Sequence, residues 1–297
     1  MSNAIQDATL QNIVSQNISI STQNGDVPAL LFSGAGSGED AVPGVNPASG
    51  DSGSPTLSAI VMLHDIYGID DTTQQAAARL AALGYTVVVP DLFASSGGSP
   101  DAAEETALRD YVSTLSDTRV VQEALSAVSF VSGTQNASTA RIGVIGWGMG
   151  GAYAMMTAAY NSNILVAVNV GGEITYPVLT AQKPGSPLNF VANLGGALLA
   201  AYPGNDPLFP GIEVERLGVR LVEHDKRGEV KVYPDAPPRF WRDDSLPQTQ
   251  ALWRRIEHFL DEYLREDEVE PGDRATHLSP QGIPDSGYPN EESRLHA

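Results

Sequence analysis

Gly146-Trp147-Gly148-Met149-Gly150-Gly151 follows the apolar run Ile142–Ile145 and precedes an Ala- and Met-rich stretch. A glycine turn between a strand and a helix brings backbone N–H groups to a helix N-terminus, where oriented donors and the positive end of the helix can hold an anion. Gly146, Gly148 and Gly151 also satisfy G-x-G-x-x-G, the spacing that lets a backbone approach a dinucleotide pyrophosphate. That chemistry needs a carboxylate near the end of the next strand to hold the ribose. Here Val166–Val170 runs into Gly171-Gly172, and the first acid is Glu173, 22 residues past Gly151. Two strand-helix units precede the turn, whereas the fingerprint usually opens its domain, so dinucleotide binding stands only as an alternative.

Other reactive groupings are sparse. With no Cys, the chain has no thiolate ligand, disulfide or cysteine nucleophile. The five histidines, His64, His224, His258, His277 and His296, lack metal-ligand spacing, and no H-E-x-x-H, P-loop or EF-hand pattern occurs. No metal and no cofactor are expected. His64 and Asp65 form a candidate polar pair at a strand end, with Tyr67 and Trp147 as candidate apolar walls. Glu223-His224-Asp225 and Arg254-Arg255 with Glu257-His258 read as solvated helix faces.

The elements that must position these residues alternate along the chain. Asn17–Thr22 and Val27–Phe32 flank the turn dipeptide Asn24-Gly25 and predict a hairpin or two successive strands at an antiparallel sheet edge. Strands are predicted at 57–63, 86–89, 142–145, 164–170, 197–202 and 229–233. Helices are predicted at 72–83, 104–132, 150–159, around 214–224 and at 248–264, the last carrying Leu252, Ile256, Phe259, Leu260 and Tyr263 on one face. Short apolar strands alternating with helices imply a mostly parallel, doubly wound sheet covered on both faces. The Gly/Ser/Pro-rich stretch 33–55 has little to bury and reads as a flexible insertion. Residues 266–297, with eight acids against two Arg, read as an acidic tail following a single domain, 1–265.

Asp+Glu number 36 against Lys+Arg 17, so the formal charge of −19 repels polyanions and nucleic acid is not an expected partner. No stretch of some eighteen apolar residues runs uninterrupted and no leader pattern is visible, so no membrane span is expected and the cytoplasm is the default address.

Val61–Gly68 (VMLHDIYG), Gly84–Phe93 (GYTVVVPDLF), Arg141–Gly151 (RIGVIGWGMGG) and Val232–Phe240 (VYPDAPPRF), in this order, resemble the dienelactone hydrolase family of the α/β-hydrolase superfamily. The resemblance spans Ile18 to Leu264 and implies the α/β-hydrolase fold, with a nucleophile at the centre of a G-x-S-x-G or G-x-C-x-G elbow. That position is Gly148, and no Ser, Thr or Cys lies between Arg141 and Met156. The position of the family's histidine is Pro238, and no His occurs from Asp225 to Glu257. The acid position matches Asp206, which reads equally well as a turn residue beside Asn205 and Pro207. The resemblance places the backbone oxyanion donors at Ile66 and Met149, with Asp65 where the family often carries Glu.

The expected function is therefore a catalytically degenerate hydrolase-fold protein kept as a binding or scaffold subunit. It would be recruited by a protein partner through the 33–55 loop or the acidic tail, or hold a small anionic ligand at the elbow. The enzymatic alternative is weak or altered ester or lactone hydrolysis using water or a nearby hydroxyl such as Ser95 or Ser96.

Overall fold

The computed structural model describes residues 13–34, 58–100, 104–134 and 141–265. The insertion from residue 35 onward and the acidic tail lie outside the described residues. All described elements fall within Met1–Asp267, the first of two units; Glu268–Ala297 is the second.

Eight strands form one sheet: β1 (Ile13–Thr22), β2 (Gly25–Gly34), β3 (Ser58–Leu63), β4 (Thr86–Pro90), β5 (Arg141–Trp147), β6 (Ile164–Val170), β7 (Ala197–Pro203) and β8 (Gly228–Tyr233). Their order is β1-β2-β4-β3-β5-β6-β7-β8. The β1–β2 hairpin is antiparallel and β2 joins β4 antiparallel, while every other pairing is parallel. Six α-helices accompany the sheet: α1 (Asp71–Ala82), α2 (Glu105–Ser113), α3 (Asp117–Thr134), α4 (Met149–Tyr160), α5 (Gly211–Glu223) and α6 (Pro247–Leu260).

The period-two alternation of each strand splits the core. Ala59, Val61, Leu63 and Val144 pack with α3, α4 and α5 on one face; Ile60, Met62, Val87 and Val89 pack with α1 and α6 on the other. Both faces are covered, which is why the central strands read as unbroken apolar runs.

One element departs from the expected pattern. The helix predicted at 104–132 is two helices, α2 and α3, broken at Thr114–Ser116. Ser113 and Thr114 hydroxyls donate to the carbonyls of Asp110 (2.6 Å) and Tyr111 (2.7 Å), competing with the helical ladder. The Ser116 hydroxyl accepts the Arg119 N–H at 3.5 Å, starting α3 as a capping residue. The last predicted helix is also divided: α6 ends at Leu260 and a π-helical turn carries on through Asp261–Arg265. Short 3₁₀ turns at Ala94–Ser96, Pro187–Asn193 and Phe240–Arg242 were not expected from periodicity.

Candidate functional site

The site is built where β5 meets α4. Gly148 sits between them at φ 53°, ψ −125°, a conformation that glycine adopts freely and that strains a residue with a Cβ. Its N–H donates to Val170 O (2.8 Å) and its carbonyl accepts the Gly151 N–H (2.9 Å), pinning the turn to the end of β6. The neighbouring glycines answer to packing. A Cβ on Gly146 would collide with Gly150 O, and one on Gly150 would collide with Leu63 O. The α4 N-terminus therefore crosses β5 and β3 at backbone contact, which accounts for the G-x-G-x-x-G spacing without a nucleotide.

A Cβ on Gly148 would meet Asp65 Cβ at 3.0 Å and Trp241 Cζ2 at 3.8 Å. These two side chains flank Gly148. Asp65 is buried: its Oδ1 accepts the Tyr67 N–H (2.9 Å) and its Oδ2 accepts from Arg242 Nη1 (2.8 Å). Burial pushes the Asp65 carboxyl above its ordinary value, with Arg242 pulling against it. The other Arg242 amino group donates to Asp70 Oδ2 (2.5 Å), and the guanidinium lies 4.3 Å from the centre of the Tyr67 ring. Asp70 also caps α1 by accepting the Thr73 N–H at 3.0 Å. For Asp70, burial acts upward, but the Arg242 and Thr73 hydrogen bonds outweigh it and hold the carboxyl below the usual range.

Ile66 and Met149 stand beside this cluster. Ile66 N–H meets no acceptor among the described residues, and the Met149 N–H lies in the first turn of α4, where helix geometry supplies no internal acceptor. Both residues are buried in the core on the α4 side of the sheet.

His64 is fully engaged. Its Nε2 accepts the Leu92 N–H at 3.0 Å, so the proton sits on Nδ1, which donates to Asp65 O at 2.7 Å. The same Nε2 stands 3.8 Å from Asp91 Oδ1. Trp147, expected as a pocket wall, points the other way and packs at 5.2 Å on Trp253 of α6. It directly precedes Gly148 on a strand, so alternation sends its side chain to the α6 face.

Pro238 lies exposed on the segment after β8, which carries no imidazole. The next residue, Arg239, adopts a left-handed φ of 55° and forms an ion pair with Glu105 of α2. Asp206 is buried after β7, and its Oδ1 accepts the Leu208 N–H at 3.0 Å, the geometry of an Asx turn. The fold thus brings Asp65, Tyr67, Gly148, Trp241 and Arg242 together and leaves Trp147 out. Sequence reasoning did not single out Arg242 and Trp241; the available signal was two Arg flanking aromatics at 239–242 in a chain poor in cations.

A model of the dienelactone hydrolase family matches residues 48–264. A carboxymethylenebutenolidase of Rhodococcus opacus is 29% identical over 239 residues, covering 76% of this chain and 88% of that protein. A putative carboxymethylenebutenolidase of Methylorubrum extorquens is 28% identical over 209 residues, 69% of this chain and 72% of that protein. Among solved structures, a putative dienelactone hydrolase of Klebsiella pneumoniae superposes with a TM-score of 0.71 at 22% identity, covering 84% of this chain and 99% of that one.

Proposed function

Because the chain belongs to the dienelactone hydrolase family, we propose that it is a catalytically degenerate member that acts by binding, with a small carboxylate or other anion held at the elbow donors. The observation that carries this reading is Gly148: a nucleophile-elbow backbone, φ 53° and ψ −125°, with no side chain to attack an acyl carbon. Pro238 removes the base independently, since proline neither accepts nor relays a proton. With no imidazole to orient, Asp206 keeps its turn role.

The competing reading, hydrolysis through Ser95 or Ser96, has weak support. Both serines lie in a short turn after β4, which β3 separates from β5. The guanidinium of Arg119 donates to Ser96 Oγ and cannot take its proton, so that hydroxyl gains no base from it. A protein partner recruited through the 33–55 segment or the 266–297 tail belongs to the same binding reading.

The test compares the purified chain with a Gly148→Ser/Pro238→His variant on aryl esters and a carboxymethylenebutenolide-type lactone. The wild type is expected to give no turnover above buffer and the double variant measurable turnover. Seating a serine side chain at the Gly148 position strains the turn and crowds Asp65, costing about 1–3 kcal/mol of stability, so circular dichroism must first show the variant folded. Multiple turnovers by the wild type would overturn the reading. A melting temperature raised by small carboxylates, and lost in Arg242→Ala, would support it.

A further inference from the structure

The β8 end of the sheet carries two features that the elbow does not explain. First, its outer edge pairs with no strand among the described residues. Leu198 N–H donates to Arg227 O (3.0 Å) and Gly204 N–H to Tyr233 O (2.8 Å), so the odd-numbered residues of this segment face β7. Parallel pairing then turns the N–H and C=O groups of Gly228, Val230 and Val232 outward. Second, large apolar side chains cluster here in the open: Ile212 is 58% exposed, Val219 54% and Val222 67% on α5, and Val232 39% on β8. The buried residues of α5 are Val214, Leu217 and Leu221, and Gly218 lies against Val230. Helical spacing therefore puts Val222 on the flank of α5 toward the free edge, with Val219 and Ile212 on its outer side.

The charge of this stretch differs from that of the chain. Residues 211–233 contain five acids (Glu213, Glu215, Glu223, Asp225, Glu229) and five bases (Arg216, Arg220, Lys226, Arg227, Lys231), hence no net charge in a protein of −19. Two copies meeting here avoid the like-charge repulsion that other surfaces would impose.

We propose that the outer edge of β8 and the adjoining flank of α5 form a self-association surface, where a second copy of this chain adds its β8 antiparallel about a two-fold axis through Val230. The axis makes Val230 face Val230 of the second copy as a hydrogen-bonded pair. It also sets Glu229 opposite the second copy's Lys231, and Lys231 opposite its Glu229. Glu229 already holds Arg255 through both oxygens at 2.8 Å, which fixes its position, while Lys231 is exposed and has no carboxylate partner among the described residues. A lysine on an edge strand ordinarily discourages pairing. In this register it finds a counter-charge, and moving the axis to residue 231 would set Lys231 against Lys231, so charge selects one register. Because the axis runs through the sheet, both α5 helices lie on the same side, with Val222 turned toward the joint.

Sedimentation of the full chain at tens of micromolar is expected to give about twice 31.4 kDa. Lys231→Glu should weaken the dimer roughly tenfold or more by creating two like-charge pairs. Val222→Arg, at an exposed position, should yield a monomer that circular dichroism shows still folded. The chain has no Cys, so Val230→Cys offers a unique probe. The expected Cα separation across the axis, about 5.5 Å, permits a disulfide-linked dimer on oxidation, whereas Val14→Cys on the opposite edge should give none. A monomer at all concentrations, a dimer indifferent to Lys231→Glu, or cross-linking at Val14 overturns the proposal. A monomer whose Val230 and Val232 amides resist hydrogen exchange also overturns it, placing another segment of the same chain on this edge.

Discussion

At the scale of single residues, the turn between β5 and α4 is set by glycine geometry. Gly148 holds φ 53° and ψ −125°, and beside it the buried Asp65 pairs with the half-buried Arg242. Another buried carboxyl permits a test by titration. Glu123 of α3 is 1% exposed, and Arg119 Nε stands 3.8 Å from its Oε1. Burial pushes its carboxyl up; Ser95 and Arg119 pull it down from close range, and repulsion from Asp91 adds to the rise. The folded chain thus binds this proton more tightly than the unfolded chain. Its effect on stability is nil below the ordinary carboxylate value, grows unfavourable as pH climbs through the window up to the raised value, and is constant above it. The stability of Glu123→Gln minus that of wild type should therefore increase as pH rises above the ordinary carboxylate value in paired urea titrations. A flat or falling difference would show that the carboxyl is not held protonated.

At the scale of elements, the connection from β6 to β7 is held down by polar groups. Lys183 Nζ donates to Asp117 Oδ1 (3.1 Å) at the start of α3 and to Tyr153 OH (3.2 Å) of α4. The Tyr153 and Tyr176 hydroxyls donate to the same carboxylate oxygen, at 3.0 and 3.3 Å. The Asp117 N–H donates back to Gln182 O at 2.9 Å. Burial, reinforced by Asp117, drives the Tyr153 hydroxyl well above its ordinary value, so it stays a donor. Lys183→Met leaves Asp117 buried without its cation and should destabilise the chain by about 3 kcal/mol. Limited proteolysis should then cut first within residues 177–186. Unaltered cleavage kinetics would mean that the apolar contacts of the connection suffice to hold it.

At the scale of the whole molecule, the charge of −19 sets the response to salt. Self-repulsion disfavours the compact state and is screened as the Debye length shortens, so Tm should rise by roughly 2–4 °C between about 0.02 and about 0.2 M NaCl. A falling Tm would assign the larger share to attractive pairs such as Arg79–Glu257 and Arg255–Glu229. No described helix is long and apolar enough to cross a membrane. The sequence by itself determined the parallel strands, the antiparallel edge around Asn24-Gly25 and the glycine turn between β5 and α4, because periodicity, turn chemistry and residue identity are local properties. It hid the break between α2 and α3, since the apolar pattern continues across Thr114–Ser116 while hydroxyl groups end the ladder. Only the tertiary structure decided that Trp147 belongs to the α6 core and that Arg242, 177 residues from Asp65, closes over the elbow. The same holds for the capture of both His64 nitrogens by backbone groups. Such partners are chosen by how the chain folds back on itself, and a pairing across that distance leaves no periodic trace in the sequence.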